Sequence, residues 1–253
     1  TVRRLLDQFS VSQLRFANSD LGRMQATADL AVRVDSLLGT AGSGITAAME
    51  QFFSAVQDVA TNPASTAARQ VMLSRASALA DRFRSTSQQL DQIQADTRGR
   101  IKAGVDEVSS LAAGIARLNA GITTASSALN GQPPNDLLDE RDRLLGRLSE
   151  LVNVSVVDGA DGAVNVFIGS GQTLVLGNVA STLATTPATD DASWLDIRFR
   201  DAGGDQVITS TITGGELGGL LAARSGLIEG VRQQLGLTAT ALAFAANDQQ
   251  AAG

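Results

Sequence analysis

The chain has 253 residues and a net charge of −6, with 26 acidic and 20 basic side chains and 4% aromatic residues. That length is enough to bury an apolar core of Leu, Ala, Val and Ile, in one elongated domain or two small ones. The acidic balance argues against a nucleic-acid-binding protein, because neutralising phosphates requires a basic face.

Cysteine and histidine are absent from the sequence. Their absence excludes disulfides, zinc sites built from Cys or His, and the Ser-His-Asp triad. We therefore expect no enzyme activity, no metal and no cofactor. No segment approaches the roughly 18 apolar residues of a membrane span, and no signal peptide pattern precedes the first helix, so a soluble chain is expected. Because Thr1 already lies within a helical pattern, we also expect a fragment of a longer protein.

Helical periodicity dominates the first half of the chain. Apolar residues recur every three or four positions from Val2 to Leu38, which predicts a long amphipathic helix. A glycine-rich loop is predicted from Gly39 to Gly44. A second helix follows from Ile45 to Val59, and Asn62-Pro63 ends or bends it because proline lacks a backbone donor.

The third helix is predicted to be unusually long. Ser65 or Thr66 can cap it, apolar residues hold one face from Ala68 to Ile93, and a near-strict heptad follows from Ile101 to Leu129. At 1.5 Å per residue such a helix would span about 97 Å. Its interior glycines each weaken it by about 1 kcal/mol relative to Ala, which leaves open a break between Thr97 and Gly99.

A turn at Asn130 to Pro134 separates the long helix from a shorter one. Asp136 is the predicted N-cap of this helix, which should fold back antiparallel on the long helix because the connection is short. From about residue 153 the apolar period changes from 3.6 to 2, with turns rich in Gly and Asp. The strands predicted from this alternation are Val154–Val156, Val164–Ile168, Leu174–Leu176, Leu195–Phe199 and Val207–Thr213. This pattern predicts a small antiparallel meander or sandwich. Helical spacing returns at Glu216.

Together these elements predict an α+β fold, an elongated antiparallel bundle of long coiled-coil-like helices with a small antiparallel β insert. The predicted division assigns residues 1–152 to the N-terminal part of a helical core domain. Residues 153–215 form a β-rich module, and residues 216–253 form a helix that packs back on the helical core.

The densest charge cluster runs from Asp139 to Asp142. Asp139 stands four residues before Arg143, a spacing that favours ion pairing on a surface or between subunits over a catalytic pair of acid and base. The acidic turns at 158–162 and 201–205 lack the ligand spacing of a calcium loop and are interpreted as hairpin turns.

Five separated motifs share one order and spacing with a known family. They are Met49–Phe53 (MEQFF), Asn62-Pro63 with Ala67–Gln70, Asn135–Asp142 (NDLLDERD), Gly215–Arg224 (GELGGLLAAR) and Leu242–Gly253. The series resembles the first hook-associated protein family of bacterial flagella, whose members join the hook to the filament.

The resemblance implies a structural subunit that assembles into a junction ring and has no catalytic role. It implies export through the flagellar type III channel without a cleaved signal, and an extracellular position in the flagellum. The implied partners are the hook protein, the second hook–filament junction protein, other copies of the chain and a cytoplasmic export chaperone, with neither nucleic acid nor membrane among them. The motif residues that are candidates for packing or subunit contacts are Phe52, Phe53, Asn135, Leu137, Leu138, Asp139, Arg141 and Asp142.

Two alternatives stay open at this point. Flagellin and the second junction protein share the helical plan, although MEQFF and NDLLDERD favour the first hook-associated protein. A helical ligand-binding sensor domain would need flanking membrane spans and a polar pocket between its helices.

Overall fold

The structure is a computed structural model that describes residues 8–39, 44–128, 134–159, 161–201 and 203–252. The predicted loop between Gly39 and Gly44 and the predicted turn at Asn130 to Pro134 lie mostly outside these residues.

Six α-helices lie in the described residues. They are α1 (Gln8–Leu38), α2 (Ile45–Thr61), α3 (Thr66–Ala128), α4 (Asn135–Leu151), α5 (Gly215–Ala223) and α6 (Glu229–Ala252). A π-helical turn, Arg224–Ile228, joins α5 to α6, so the helix predicted to begin at Glu216 is divided in two. None of the described helices combines the length and apolar character needed to cross a membrane.

The helix boundaries follow local chemistry. The second helix ends at Thr61, just before Asn62-Pro63, as predicted. Ser65 caps α3, since its Oγ accepts a hydrogen bond from the Ala68 N–H at 3.2 Å. The prediction that Asp136 caps α4 is wrong. The helix begins at Asn135 after Pro134, and Asp136 lies in the first turn, where its charge complements the helix dipole.

The long third helix continues without a break past Gly99. Gly99 has no atom within 4 Å of where a Cβ would be, so its cost is limited to helix propensity. On the same helix Ile101, Val105 and Val108 are all 0% exposed. Burying these side chains stabilises the helix by more than one glycine weakens it, because each contributes roughly 1.5–3 kcal/mol.

Within the described residues, seven strands form two antiparallel sheets. The first has the order β1-β2-β3-β4, and the second has the order β5-β6-β7. The strands are β1 (Val154–Asp158), β2 (Val164–Ile168), β3 (Gln172–Leu176), β4 (Val179–Ala180), β5 (Thr182–Pro187), β6 (Leu195–Asp201) and β7 (Gly204–Val207). The small antiparallel β insert is therefore confirmed, with β4 and β5 as strands that the apolar alternation did not predict.

The strand predicted at Val207 to Thr213 is wrong. The last strand ends at Val207, and a 3₁₀ turn follows at Thr209–Thr211. Here the Thr209 side chain takes the place of a strand backbone acceptor. Its Oγ1 accepts a hydrogen bond from the Ile197 N–H at 2.9 Å and donates one to Asp196 Oδ1 at 2.9 Å. The Ile208 N–H donates to the Ile197 carbonyl at 2.9 Å, so both backbone groups of Ile197 are satisfied beyond the end of β7 without a further strand residue.

The contacts within the chain group its residues into two compact units. Unit 1 comprises residues 1–28 and 97–222, and unit 2 comprises residues 29–96 and 223–253. The described part of unit 1 contains α4, both sheets and α5, and that of unit 2 contains α2 and α6. The three-part division drawn from the sequence follows the changes in secondary structure and stays a prediction.

Each unit has its own apolar core. In unit 1 the core is formed by α3, α4 and the sheets, with Ile115, Leu148 and Trp194 at 0–1% exposure. In unit 2, Leu30 and Leu90 are at most 1% exposed and Ile228 is fully buried. Aliphatic side chains thus supply most of the core, as the low aromatic content requires.

Candidate functional site

The NDLLDERD motif lies on the first turns of α4, and its arginine points inward. Arg141 is 7% exposed. Its Nη1 donates to Asn119 Oδ1 at 3.1 Å and to the Gly162 carbonyl at 2.7 Å. The expectation that this charge cluster pairs on a surface or between subunits is wrong for Arg141, because its guanidinium lies inside unit 1 and joins α4 to α3 and to the β1–β2 turn.

Asn119, on α3, is the centre of this buried network. It is 1% exposed. Its Oδ1 accepts from the Val164 N–H at 3.1 Å, while its Nδ2 donates to the carbonyls of Val164 at 2.8 Å and Gly177 at 2.6 Å. Asn119 therefore replaces a strand in satisfying backbone groups of the first sheet, which a buried polar side chain must do to offset its own desolvation.

The other charges of the motif remain nearer the surface. Asp142 pairs with Arg15 of α1, with 3.5 Å between Asp142 Oδ1 and Arg15 Nη2. Burial lowers the pKa of Arg15, and the charges of Asp142 and Asp158 oppose that shift. Arg143 is exposed and pairs with Glu140, whose pKa this hydrogen bond lowers.

The apolar and amide residues of the motif help to attach α4 to α3. Leu137 lies against Gly121, where a Cβ would be 3.5 Å from Leu137 Cδ1. Leu138 and Asn135 are half-buried, and Asp139 is exposed. Most of this predicted interface motif is thus engaged within unit 1, and the assignment of its remaining exposed atoms to subunit contacts stays a prediction.

The two phenylalanines of MEQFF lie on α2, in unit 2. Their ring centroids are 5.5 Å apart with an angle of 56° between the planes. Phe52 is half-buried, whereas Phe53 is 51% exposed. Such a tilted pair places one ring on the surface of the helix, where a solvent-exposed aromatic is a common feature of contact sites.

Glycines of the GELGGLLAAR motif permit close packing around α5. Gly219 lies against α1, since a Cβ there would be 2.4 Å from the Arg23 carbonyl oxygen and 2.9 Å from Ala26 Cβ. Gly22 of α1 packs in a similar way against α4. A Cβ on Gly22 would be 2.5 Å from the Glu150 carbonyl oxygen. Arg100 also anchors α5 by donating through Nε and Nη2 to Glu216 Oε1.

The hydroxyl of Ser109 makes a contact that the sequence does not predict. Its Oγ accepts from the Leu183 N–H at 2.9 Å and lies 3.2 Å from the carbonyl oxygens of both Leu183 and Val105, to either of which it can donate. Leu183 belongs to β5, an edge strand of the second sheet. A serine among the apolar heptads of α3 gives no sign of such a role until the fold brings the strand next to it.

Exposed apolar side chains are concentrated on α1. Phe9, Phe16, Leu21 and Met24 are 74%, 61%, 54% and 58% exposed. The same helix buries Ala26, which is 2% exposed. A run of this kind on one helix is typical of a surface used in protein contacts.

The part of the chain that the structure describes contains no group of three or more acidic side chains able to hold a metal ion. Apart from Arg15, where burial is the main cause, the titratable groups with shifted pKa values in this part of the chain are explained by ion pairs. Hydrogen bonds from Arg198 and Arg200 lower the pKa of Asp205 against the opposing effect of desolvation, and hydrogen bonds to Glu107 and Glu150 raise the pKa of Arg147. These pairs lie at the surface, where an ion pair contributes little to stability.

Comparison with known proteins gives a consistent result. The family model described as "Flagellar hook-associated protein FlgK helical domain" matches residues 31–253. Flagellar hook-associated protein 1 of Escherichia coli K12 is 33% identical over 254 residues, covering 100% of this chain and 46% of that protein. The protein of the same name from Bacillus subtilis is 28% identical over 157 residues, or 62% of this chain and 31% of the relative.

A solved structure agrees with these sequence matches. The flagellar hook junction protein FlgK from Burkholderia pseudomallei superposes with a TM-score of 0.82 at 34% identity, covering 89% of this chain and 41% of that one. The chain thus spans a little under half the length of the E. coli relative, 46%.

Proposed function

Because the chain belongs to the FlgK family of flagellar hook-associated proteins, we propose that it is part of a structural subunit that joins the flagellar hook to the filament by assembling into a junction ring. The observation that carries the proposal is similarity over the whole chain together with a TM-score of 0.82 to a hook junction protein. We propose a role in assembly and none in catalysis.

The chemistry of the chain supports this role. In unit 1, buried polar side chains such as Arg141 and Asn119 hold helices and strands together. Helices approach each other through glycines such as Gly219. Both features favour a helical framework of fixed geometry within unit 1, which suits repeated lateral packing in a ring.

The proposed partners are those of a junction subunit: the hook protein, the second hook–filament junction protein, neighbouring copies and a cytoplasmic export chaperone. The exposed apolar side chains of α1, Phe9, Phe16, Leu21 and Met24, and the exposed ring of Phe53 support contacts with protein partners. We further propose export to the cell exterior without a cleaved signal.

Immunogold labelling of isolated flagella tests this location. Antibodies raised against the chain should label one narrow band between hook and filament in electron micrographs, because a junction ring occupies a single axial level. A strain lacking the gene serves as the control for antibody specificity. Labelling along the whole filament, or labelling confined to the cell body, would contradict the proposal.

A further inference from the structure

The two sheets of unit 1 have separate hydrogen-bonded ladders. The first sheet ends at β4, the second begins at β5, and Ser181 alone lies between these strands. Among the described strands no ladder joins β1–β4 to β5–β7. Backbone hydrogen bonds therefore leave each sheet free to open without breaking the ladder of the other.

Each sheet is joined to α3 by a polar side chain of that helix. Asn119 bonds three backbone groups of the first sheet, the N–H and carbonyl of Val164 and the carbonyl of Gly177. Ser109 bonds the N–H and lies within hydrogen-bond distance of the carbonyl of Leu183 in the second sheet. The two residues stand ten positions apart on one helix, and their contacts are to different sheets.

We propose that Asn119 and Ser109 are two independent latches, so that each sheet can be released from α3 while the other stays in place. Removing either side chain leaves strand backbone groups without their partners in a buried or half-buried setting, and an unsatisfied group of this kind favours local opening. Unit 1 then consists of a helical scaffold and two sheets that can detach from α3 separately.

Hydrogen exchange of the full-length protein, followed by mass spectrometry of peptides, tests the latches. Asn119→Ala should accelerate exchange in residues 154–180 by at least about tenfold and leave residues 182–207 unchanged. Ser109→Ala should give the converse pattern. Thr124→Ala is the matched control on the same helix, since the Thr124 hydroxyl donates to the Ala120 carbonyl within α3.

Selective acceleration of one sheet in each variant supports the proposal. Acceleration of both sheets in either variant would show a single cooperative module and overturn it, as would unchanged exchange in both sheets. Ser109→Ala changes a half-buried hydroxyl and is the milder of the two substitutions. If Asn119→Ala does not fold, Ser109→Ala decides the outcome alone, because a joint response of the two sheets in that variant already contradicts independent latches.

Discussion

Gly215→Ala is expected to cause the largest loss of stability of any single substitution considered for this chain. Gly215 has φ +68°, a left-handed conformation that costs an L-residue about 1–2 kcal/mol. A Cβ there would lie 2.2 Å from the Leu151 carbonyl carbon and 2.3 Å from Val152 N. Both atoms are backbone and move only with the end of α4, so overpacking adds about 1–3 kcal/mol and the total loss should be roughly 4 kcal/mol.

Thermal unfolding followed by circular dichroism measures this loss, which should lower the midpoint by about 10 °C. Two controls in the same unit separate the effect of the left-handed backbone conformation from the effect of crowding by the added Cβ. Gly177→Ala shares a left-handed conformation, φ +55°, but meets nothing within 4 Å, so it should lose only about 1–2 kcal/mol. Gly146→Ala meets nothing within 4 Å inside α4 and should gain up to about 1 kcal/mol. Equal losses for Gly215→Ala and Gly177→Ala would show that crowding against Leu151 is unimportant.

Arg141→Leu should be the second most damaging change. The substitution removes the donor to Asn119 Oδ1 and to the Gly162 carbonyl, and hydrogen bonds to charged groups contribute about 1.5–3 kcal/mol each. Removing a buried charge recovers part of its desolvation cost, so the net loss should be about 3 kcal/mol. Urea unfolding of the variant and the parent chain measures the difference.

Arg143→Leu is the matched control, because Arg143 lies one half-turn further along α4 with 67% of its side chain exposed. Its pair with Glu140 lies at the surface, so no measurable change is expected. If the two arginine variants lost equal stability, the network through Asn119 would not be what holds α4. In that case the stability losses of Arg141→Leu and Asn119→Leu should simply add in the double variant.

The heptad pattern predicted the long third helix because apolar spacing is a local signal. Whether the helix breaks near Gly99 could not be decided from the sequence. Helix propensity is also local, whereas the burial of Ile101 and Val105 that outweighs it depends on distant residues. The β insert was predicted where Val and Ile alternate, and β5 was missed because it reads TLATTP, with Leu183 as its buried apolar residue.

The buried network was the part of the site least open to prediction. Arginine is almost never buried unless its charge is paired or hydrogen-bonded, so the charge cluster predicts ion pairs on a surface or between subunits, while the motif leaves Arg141 as a candidate for packing or for a subunit contact. Its partners lie 22 residues before it in Asn119 and 21 residues after it in Gly162. Only the fold brings these three positions together. The glycines of GELGGLLAAR belong to a recognisable motif, but their packing against α1 and α4 depends on residues far away in the sequence and has no local signal.

The measurement that tests the junction role most directly is filament attachment in a strain from which the full-length gene has been deleted. Electron micrographs should show hooks without filaments, and flagellin should accumulate in the culture medium, because a filament needs the junction on which to assemble. Restoring the gene should restore attached filaments. Normal filaments on the deletion strain would contradict the account.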